Sequence, residues 1–374
     1  MTPRERLLAV YRGETPDQVP CMLDLSHWFY HHEQRPWDLG QTYPEPEHEL
    51  IALHRHHGMG FYLPNLGAFT SARYSDDVRG TTTRQAGANG EPELVWRLET
   101  PLGTISRARR WEPATYAWGI TQWGVRTTAD LRVLAYALSR RVYTGHWERV
   151  LAWQAAVGDL GVLYISGGYS AMGHLLNYWM GAEGTLFAAV DEPDALADAV
   201  AAINANNLAF IDLLAQSPAE VILLGDNMSS DLQPPAFFAR WSRDYYVEAI
   251  QRLHAAGKYV AVHIDGRLRG AIAMIRDTGA DAGDAITPAP LGDLTAAQCR
   301  AEAGDRFILS GGVSPDLWLP NASLARFDAA AEAWLAQKAT TSRFVLNAGD
   351  QVPPGAEESR IGRLRDLAAS QGRY

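Results

Sequence analysis

From residue 221 the chain reads Val221-Ile-Leu-Leu-Gly-Asp226, then a helical stretch from Pro235 to Ala256 stopped by Gly257, then Tyr259-Val-Ala-Val-His263-Ile-Asp265. Two short apolar runs separated by one helix are the signature of parallel strands joined by a crossover, because such strands are covered on both faces. The same rhythm continues outward. Ala282–Ile286, Phe307–Ser310 and Phe344–Asn347 follow as further short apolar strands, and Val162–Ser166 precedes, with a helix over Glu192–Leu214. Earlier still, Val19–Asp24 and the weaker Gly60–Leu63 bring the strand count to eight. Eight strands alternating with helices predict an α/β fold of the (β/α)8 TIM-barrel type, one domain over residues 1–374. A doubly wound open sheet would need a Gly-x-Gly-x-x-Gly turn after an early strand, and the chain has none.

Two segments lie outside this rhythm. At the start, Thr2, Pro3 and Glu5 form a capping box ahead of a helix that Gly13 ends. Between about residues 77 and 110, Val95-Trp-Arg-Leu-Glu99 and Thr104-Ile-Ser-Arg-Ala108 flank Pro101-Leu-Gly103 and read as an inserted antiparallel β-ribbon. Helices are predicted over Glu45–His57, Thr128–Leu138 and Trp147–Gly158, with an aromatic, His-rich loop over Ser26–Trp37. His54, His56 and His57 fall near a helix end, where cations suit the dipole, rather than forming a metal cluster.

Composition narrows the function. The 374 residues carry 33 Lys+Arg against 43 Asp+Glu, a formal charge of -10, which repels phosphate backbones and anionic headgroups. Nucleic-acid and membrane partners are therefore not expected. No apolar run approaches the length of a membrane span, and no signal-peptide pattern opens the chain, so a cytoplasmic location is the expectation. Cys21 and Cys299 alone cannot build a disulfide framework or a cysteine zinc cage. No motif for a nucleotide, flavin or haem is visible.

In a barrel of this kind, chemistry gathers at the C-terminal ends of the strands. Those positions hold Asp226 and Asn227, His263 and Asp265, Asp284, Ser310, and Asn347 through Asp350 and Gln351. Aspartate at a strand–helix junction is also the usual helix cap, so the weight lies in the coincidence of these residues at one rim. Asp226, His263 and Asp284 are the candidate catalytic groups. His263-x-Asp265 places two ligand-type side chains on one side of an extended segment, and with Asp350 they could bind Zn²⁺ or a harder divalent ion. The alternative is metal-free, with His263 as a general acid or base oriented by a carboxylate. Twelve tryptophans are many for this length. His27, Trp28, Tyr169 and Trp318, with Asn227 and Gln351, are the candidate substrate-binding residues, because an aromatic pocket suits a flat ring or a methylated ammonium group. The same aromatic residues would equally suit loop packing or a homodimer interface.

Three stretches carry a resemblance. Arg4-Glu-Arg with Gly13-Glu-Thr-Pro-Asp17-Gln-Val-Pro20, the segment Asn177-Tyr-Trp-Met-Gly181, and Phe344-Val-Leu-Asn-Ala-Gly349 with Val352-Pro-Pro354 resemble the uroporphyrinogen decarboxylase superfamily. It contains both that decarboxylase and zinc methyltransferases that serve corrinoid proteins, and it implies a (β/α)8 barrel. True decarboxylases of the family have Arg-Gln-Ala-Gly-Arg after the first strand; here that place reads Leu25-Ser-His27-Trp28-Phe-Tyr30. The string Arg84-Gln-Ala-Gly87 lies instead in the ribbon. Their tyrosine, seven residues beyond the glycine ending strand three, is replaced by Leu175. The methyltransferase branch has His-x-Cys after strand five and Gly-Cys after strand eight, where this chain has His263-Ile-Asp265 and Gly349-Asp350. Thr100-Pro-Leu-Gly-Thr104, Trp111 and Val125-Arg-Thr-Thr-Ala-Asp130 are also similar to that branch.

The resemblance thus implies a metal-dependent enzyme, with zinc as the expected ion, that demethylates a small O- or N-methylated substrate. No Asp-x-His-x-x-Gly corrinoid motif is present, so the methyl acceptor would be a separate corrinoid protein. The alternative is a lyase that decarboxylates a small acid other than uroporphyrinogen. A non-catalytic binder that keeps the pocket is the third reading.

Overall fold

A computed structural model describes residues 1–39, 43–64, 67–87 and 90–374. Its centre is a ring of short parallel strands: β1 (Met22–Leu23), β2 (Gly60–Phe61), β3 (Tyr164–Ser166), β4 (Val221–Leu224), β5 (Tyr259–His263), β6 (Ala282–Ile286), β7 (Ile308–Gly312) and β8 (Phe344–Asn347). β3 to β8 pair in chain order and β1 pairs with β2. Two bridges complete the circle, Cys21 to Leu346 and Phe61 to Gly161. They are reinforced by the Leu346 N–H on the Pro20 carbonyl at 2.9 Å and the Tyr164 N–H on the Tyr62 carbonyl at 2.8 Å. The (β/α)8 TIM barrel expected from the strand count is the observed fold.

Side chains alternate along each strand, so the barrel sorts them into two apolar layers. Leu23, Ile222, Leu224, Val260, Val262, Leu309, Phe344 and Leu346 pack outward among the helices. Met22, Val221, Leu223, Ala261, Ala282, Ile308 and Val345 form a separate inner cluster with Leu7, Leu8, Val10 and Tyr11 of the N-terminal helix Pro3–Arg12. That helix has the predicted Thr2–Glu5 capping box and ends at Gly13, whose φ of 82° is left-handed. It seals the N-terminal end of the barrel. Arg4 reaches the Gly161 carbonyl at 3.1 Å, just before β3, and the Tyr11 hydroxyl meets that of Tyr164 at 2.7 Å.

The ribbon is larger than the sequence suggested. It has four antiparallel strands, Arg79–Ala86, Pro92–Thr100, Gly103–Glu112 and Ala117–Gln122, so it runs beyond residue 110. The fourth strand alternates exposed and half-buried residues and presents little apolar pattern. A further pair, Thr70–Tyr74 with Arg141–Gly145, was not predicted. Leu98 and Ile105 of the ribbon join Leu131, Leu134, Leu175, Trp179 and Leu196 in a second apolar cluster. The helix Pro193–Leu214 contributes to that cluster and, through Phe210, Ile211 and Leu214, to the outer layer of the barrel.

Two other segments differ from expectation. Residues 26–32 form a helix rather than a loop, with Trp28, Phe29 and Tyr30 buried. The predicted helix Pro235–Ala256 is broken at Ser242 into Pro235–Trp241 and Arg243–Ala255, and the Ser242 hydroxyl donates to Gln233. Among the described residues no helix is long and apolar enough to cross a membrane.

Ring closure gives a test. A Cβ on Gly161 would lie 1.6 Å from the Phe61 carbonyl oxygen, whereas one on Gly119 in the ribbon meets nothing within 4 Å. Gly161→Ala should therefore lower stability by about 2 kcal/mol or more, and Gly119→Ala by less than about 0.5 kcal/mol. Thermal melts of the two variants check this; equal melting temperatures would contradict closure at Gly161.

Candidate active site

Two residues beyond five of the inward apolar side chains, the same strand parity delivers a polar one. Met22 is followed by Asp24, Ala261 by His263, Ala282 by Asp284, Ile308 by Ser310 and Val345 by Asn347. With the N-terminal end sealed, this second ring lies at the C-terminal mouth. Its members touch. His263 Nδ1 lies 3.4 Å from Asp284 Oδ2, and its Nε2 lies 3.9 Å from Asp350 Oδ1. Asn347 Nδ2 donates to the Tyr62 hydroxyl at 3.0 Å and lies 3.3 Å from Ser310 Oγ. Asp24 accepts from the Ser26 N–H at 2.9 Å and from Gln351 Nε2 at 3.0 Å, joining β1 to the loop after β8. Asp284 Oδ1 is buried and has no hydrogen-bond partner.

Backbone irregularity sits at the same place. β6 carries a register shift between Gly283 and Ile286, and Ala285 adopts φ 61°. Asn227, in the loop after β4, adopts φ 48°. Left-handed backbone at non-glycine residues is costly and clusters at functional sites.

The charges are tuned by this packing. Burial pulls the His263 imidazole down, but its hydrogen bond to Asp284 and the charges of Asp350, Asp284 and Asp265 outweigh it and hold its pKa at about 9. Asp350 stands at the rim with a side chain 37% exposed, yet its pKa is raised to about 6. The protein mass around the mouth desolvates it, and Asp265 and Asp24 add negative charge, against the lowering pull of His263. Burial also raises Asp24, and pushes Tyr62 well above the usual phenol range with help from Asp284, Asp24 and Asp350.

Several sequence-based assignments need correction. Asp226 is buried, but its carboxylate accepts from the Ser170 N–H at 2.7 Å and from the Ser170 hydroxyl. It shares the parity of outward-packing Leu224, so the inward place on that strand is Gly225. It fixes the loop after β3 instead. Trp28 donates its Nε1–H to the Ala356 carbonyl at 3.0 Å and stacks on His32 at 4.8 Å. Trp318 is fully buried, with Nε1 3.3 Å from the Val313 carbonyl and its ring edge-on to Phe327. Both tryptophans pack in the core. Gln351 braces Asp24. His27 has Nε2 at 2.8 Å from the Tyr116 carbonyl, Tyr169 packs at 4.7 Å on Tyr178, and Asn227 is half-buried in its loop. The sequence reading missed Asp24 and Tyr62 as members of the site.

The metal-ligand set is also only partly assembled. Asp265 lies two residues past the end of β5 and is exposed. Among the described residues no three His, Cys, Asp or Glu side chains gather at ligand spacing. Two members of the set do face each other, His263 and Asp350. An imidazole whose Nδ1 is held by a carboxylate presents Nε2 outward, which is the support that metal-bound histidines have. Chemically, this donor pair fits a divalent ion.

A closed (β/α)8 barrel with a polar ring at its C-terminal mouth is the scaffold of many enzymes. The family model for uroporphyrinogen decarboxylase (URO-D) matches residues 162–370, more than half of the chain, and the protein belongs to this family. Among solved structures it is similar to a methyltransferase from Methanosarcina mazei, at 16% identity and a TM-score of 0.62, covering 99% of this chain and 98% of that one. A D-psicose 3-epimerase from Clostridium cellulolyticum H10 matches more distantly, at 12% identity and a TM-score of 0.35 over 59% of this chain and 81% of that one. No curated protein sequence matches.

Two outcomes follow from the packing. Trp318→Ala should cost about 3–5 kcal/mol of stability, as for any fully buried aromatic, and this can be read from denaturant melts. His263 should couple stability to pH. Its folded pKa of about 9 lies above the unfolded value near 6.5, so its contribution is complete below pH 6.5 and is lost as pH rises towards 9. In metal-free protein the loss should be on the order of 2–3 kcal/mol, and His263→Gln should flatten this part of the profile. An unchanged slope in the variant would remove His263 as its source.

Proposed function

We propose that the protein is a metal-dependent methyltransferase-type enzyme that demethylates a small O- or N-methylated substrate and passes the methyl group to a separate corrinoid protein. The observation that carries this reading is the hold on His263, with Asp284 at Nδ1 and Asp350 opposite Nε2. The full-length similarity to a methyltransferase supports it. His263 and Asp350, with Asp265 drawn in from the adjoining loop, would hold the divalent ion, zinc being the one expected. When bound there, the ion supplies Lewis acidity toward the oxygen or nitrogen that loses the methyl group.

The remaining steps belong to the chain's own residues. Asp284 fixes the imidazole tautomer and its orientation. Asp24 and Gln351 tie the loop that carries Asp350 to the first strand, so that Asp350 stays opposite His263. His27, Tyr169 and Asn227 line the rim loops around the substrate. Carboxylate oxygens where the methyltransferase branch uses thiolates make a harder centre, which suits oxygen or nitrogen leaving groups over thiol activation.

One observation favours a second reading, decarboxylation of a small acid. Asp284 on Nδ1, with Asp350 and Asp265, raises the His263 pKa against its burial, and an imidazolium can deliver a proton to the carbanion left by CO₂ loss.

Metal analysis together with product analysis separates the two. Zinc-loaded protein should retain the ion after gel filtration, and His263→Ala and Asp350→Ala should each lose most of it. Asp284→Asn should weaken metal affinity or activity about 10–100-fold. Methylated ethers and amines supplied with cob(I)alamin should give methylcobalamin. Release of CO₂ from small acids without methyl transfer, and with full activity after chelation, would decide for the lyase.

A further inference from the structure

Away from His263, three arginines and a histidine lie close together, and among the described residues none of them forms an ion pair with a carboxylate. Arg107, on the ribbon strand Gly103–Glu112, is only 6% exposed, and its Nε and Nη1 are buried without a hydrogen-bond partner. Aromatic rings box its guanidinium: Trp96 at 4.1 Å, Tyr178 at 4.6 Å and Trp179 at 5.1 Å. Arg109, two residues on and therefore on the same face of the ribbon, lies 4.6 Å over Tyr178. It donates Nη2–H to the Asn177 carbonyl at 3.1 Å, while its buried Nε has no partner. Arg141 donates to Asn207 at 2.7 Å and lies 3.3 Å from His174 Nε2, and His174 Nδ1 is again buried and unpartnered. Arg110 shows the contrast, since it pairs with Glu93.

Buried cations are normally paired, because desolvation of an isolated charge is costly. Aromatic faces offset part of that cost but accept no N–H in good geometry. Arg109 also repels Arg107 and depresses its pKa, so the cluster works against itself as it stands. What would satisfy it is an anion. The guanidinium fork matches a carboxylate or a phosphate, and flat walls suit an attached ring.

The cluster is placed for this. Asn177 also donates to the Asp226 carbonyl at 2.9 Å, and the Met228 N–H bonds to the His263 carbonyl at 3.0 Å, so the arginines share a rim with His263 through the loop after β4. Trp96 and Trp179, which box Arg107, also line, with Tyr74, a groove of about 750 Å³ that carries Arg73, Arg79, Arg97 and one carboxylate, Asp76.

We propose that Arg107 and Arg109 form an oxyanion site on the C-terminal rim, which takes the carboxylate or phosphate of a small acidic, ring-bearing ligand. The site goes beyond methyl transfer and does not depend on it.

Calorimetric titrations with benzoate, inorganic phosphate and neutral benzamide test this. Saturable binding of benzoate or phosphate, but not of benzamide, is expected, and the preferred anion names the source of the oxyanion. Arg107→Met and Arg109→Met should each weaken binding at least tenfold, with Arg107→Lys recovering part of the loss. Without anion, Arg107→Met should melt no lower than the wild type, because an unpaired buried charge is removed. If Arg107→Met does not fold, Arg109→Met carries the test alone. His263→Ala should keep anion binding, so the site and the methyl-transfer reading fail separately. Equal affinity for benzamide, no binding of either anion, or undiminished binding by both arginine-to-methionine variants would overturn the proposal.

Discussion

The constraint on which everything else rests is the two-residue alternation of side chains within a closed ring of strands. It fixes an apolar layer at the level of Met22, Ala261, Ala282, Ile308 and Val345, which the N-terminal helix seals from below. One step further along each strand it fixes Asp24, His263, Asp284, Ser310 and Asn347. Neither layer can shift without the other, because a slip of one residue would carry the polar set to the helix-packed outer face. The closing contacts at Cys21–Leu346 and Phe61–Gly161 are therefore as important to the site as any residue in it.

The same alternation explains how far the sequence could be read. Eight apolar runs with helices between them were enough for the barrel, since periodicity and strand length are local properties. His263 and Asp284 were also visible as polar residues on clear strands, and Asp350 as a carboxylate in the loop after β8. Asp24 and Tyr62 were not, because β1 and β2 are each two residues long and offer no alternation from which to judge direction. Asp226 was misjudged for a related reason. A polar residue after a strand looks the same whether it continues the inward or the outward row, and only the barrel shows that Leu224 and Asp226 belong to the outward row. Trp28 and Trp318 mislead because tryptophan serves a pocket and a core equally well. Their N–H groups, bonded to the Ala356 and Val313 carbonyls, mark them as core. Asp265, two residues past the end of β5, is exposed.

What emerges is a rim divided by charge. Carboxylates crowd His263, whereas among the described residues Arg107 and Arg109 of the inserted ribbon form no ion pair. Acidic neighbours raise His263 against its burial, while burial first, and then Asp265 and Asp24, raise Asp350 against the pull of His263, so the two titrate as a pair. A cation placed between them would relieve that crowding, as an anion would at Arg107 and Arg109. Such unrelieved charge at a strained rim is the expected mark of a site whose energy is reserved for a ligand.

The claim at the centre of this account is that Asp284 holds His263 by Nδ1 and leaves Nε2 facing Asp350. Nitrogen-15 NMR of histidine-labelled protein, recorded before and after one equivalent of Zn²⁺, tests it most directly. The account predicts that the His263 Nε2 resonance moves to a metal-bound position while Nδ1 keeps its proton. A His263 signal unchanged by the metal, or one in which Nδ1 is the nitrogen that binds, would contradict it.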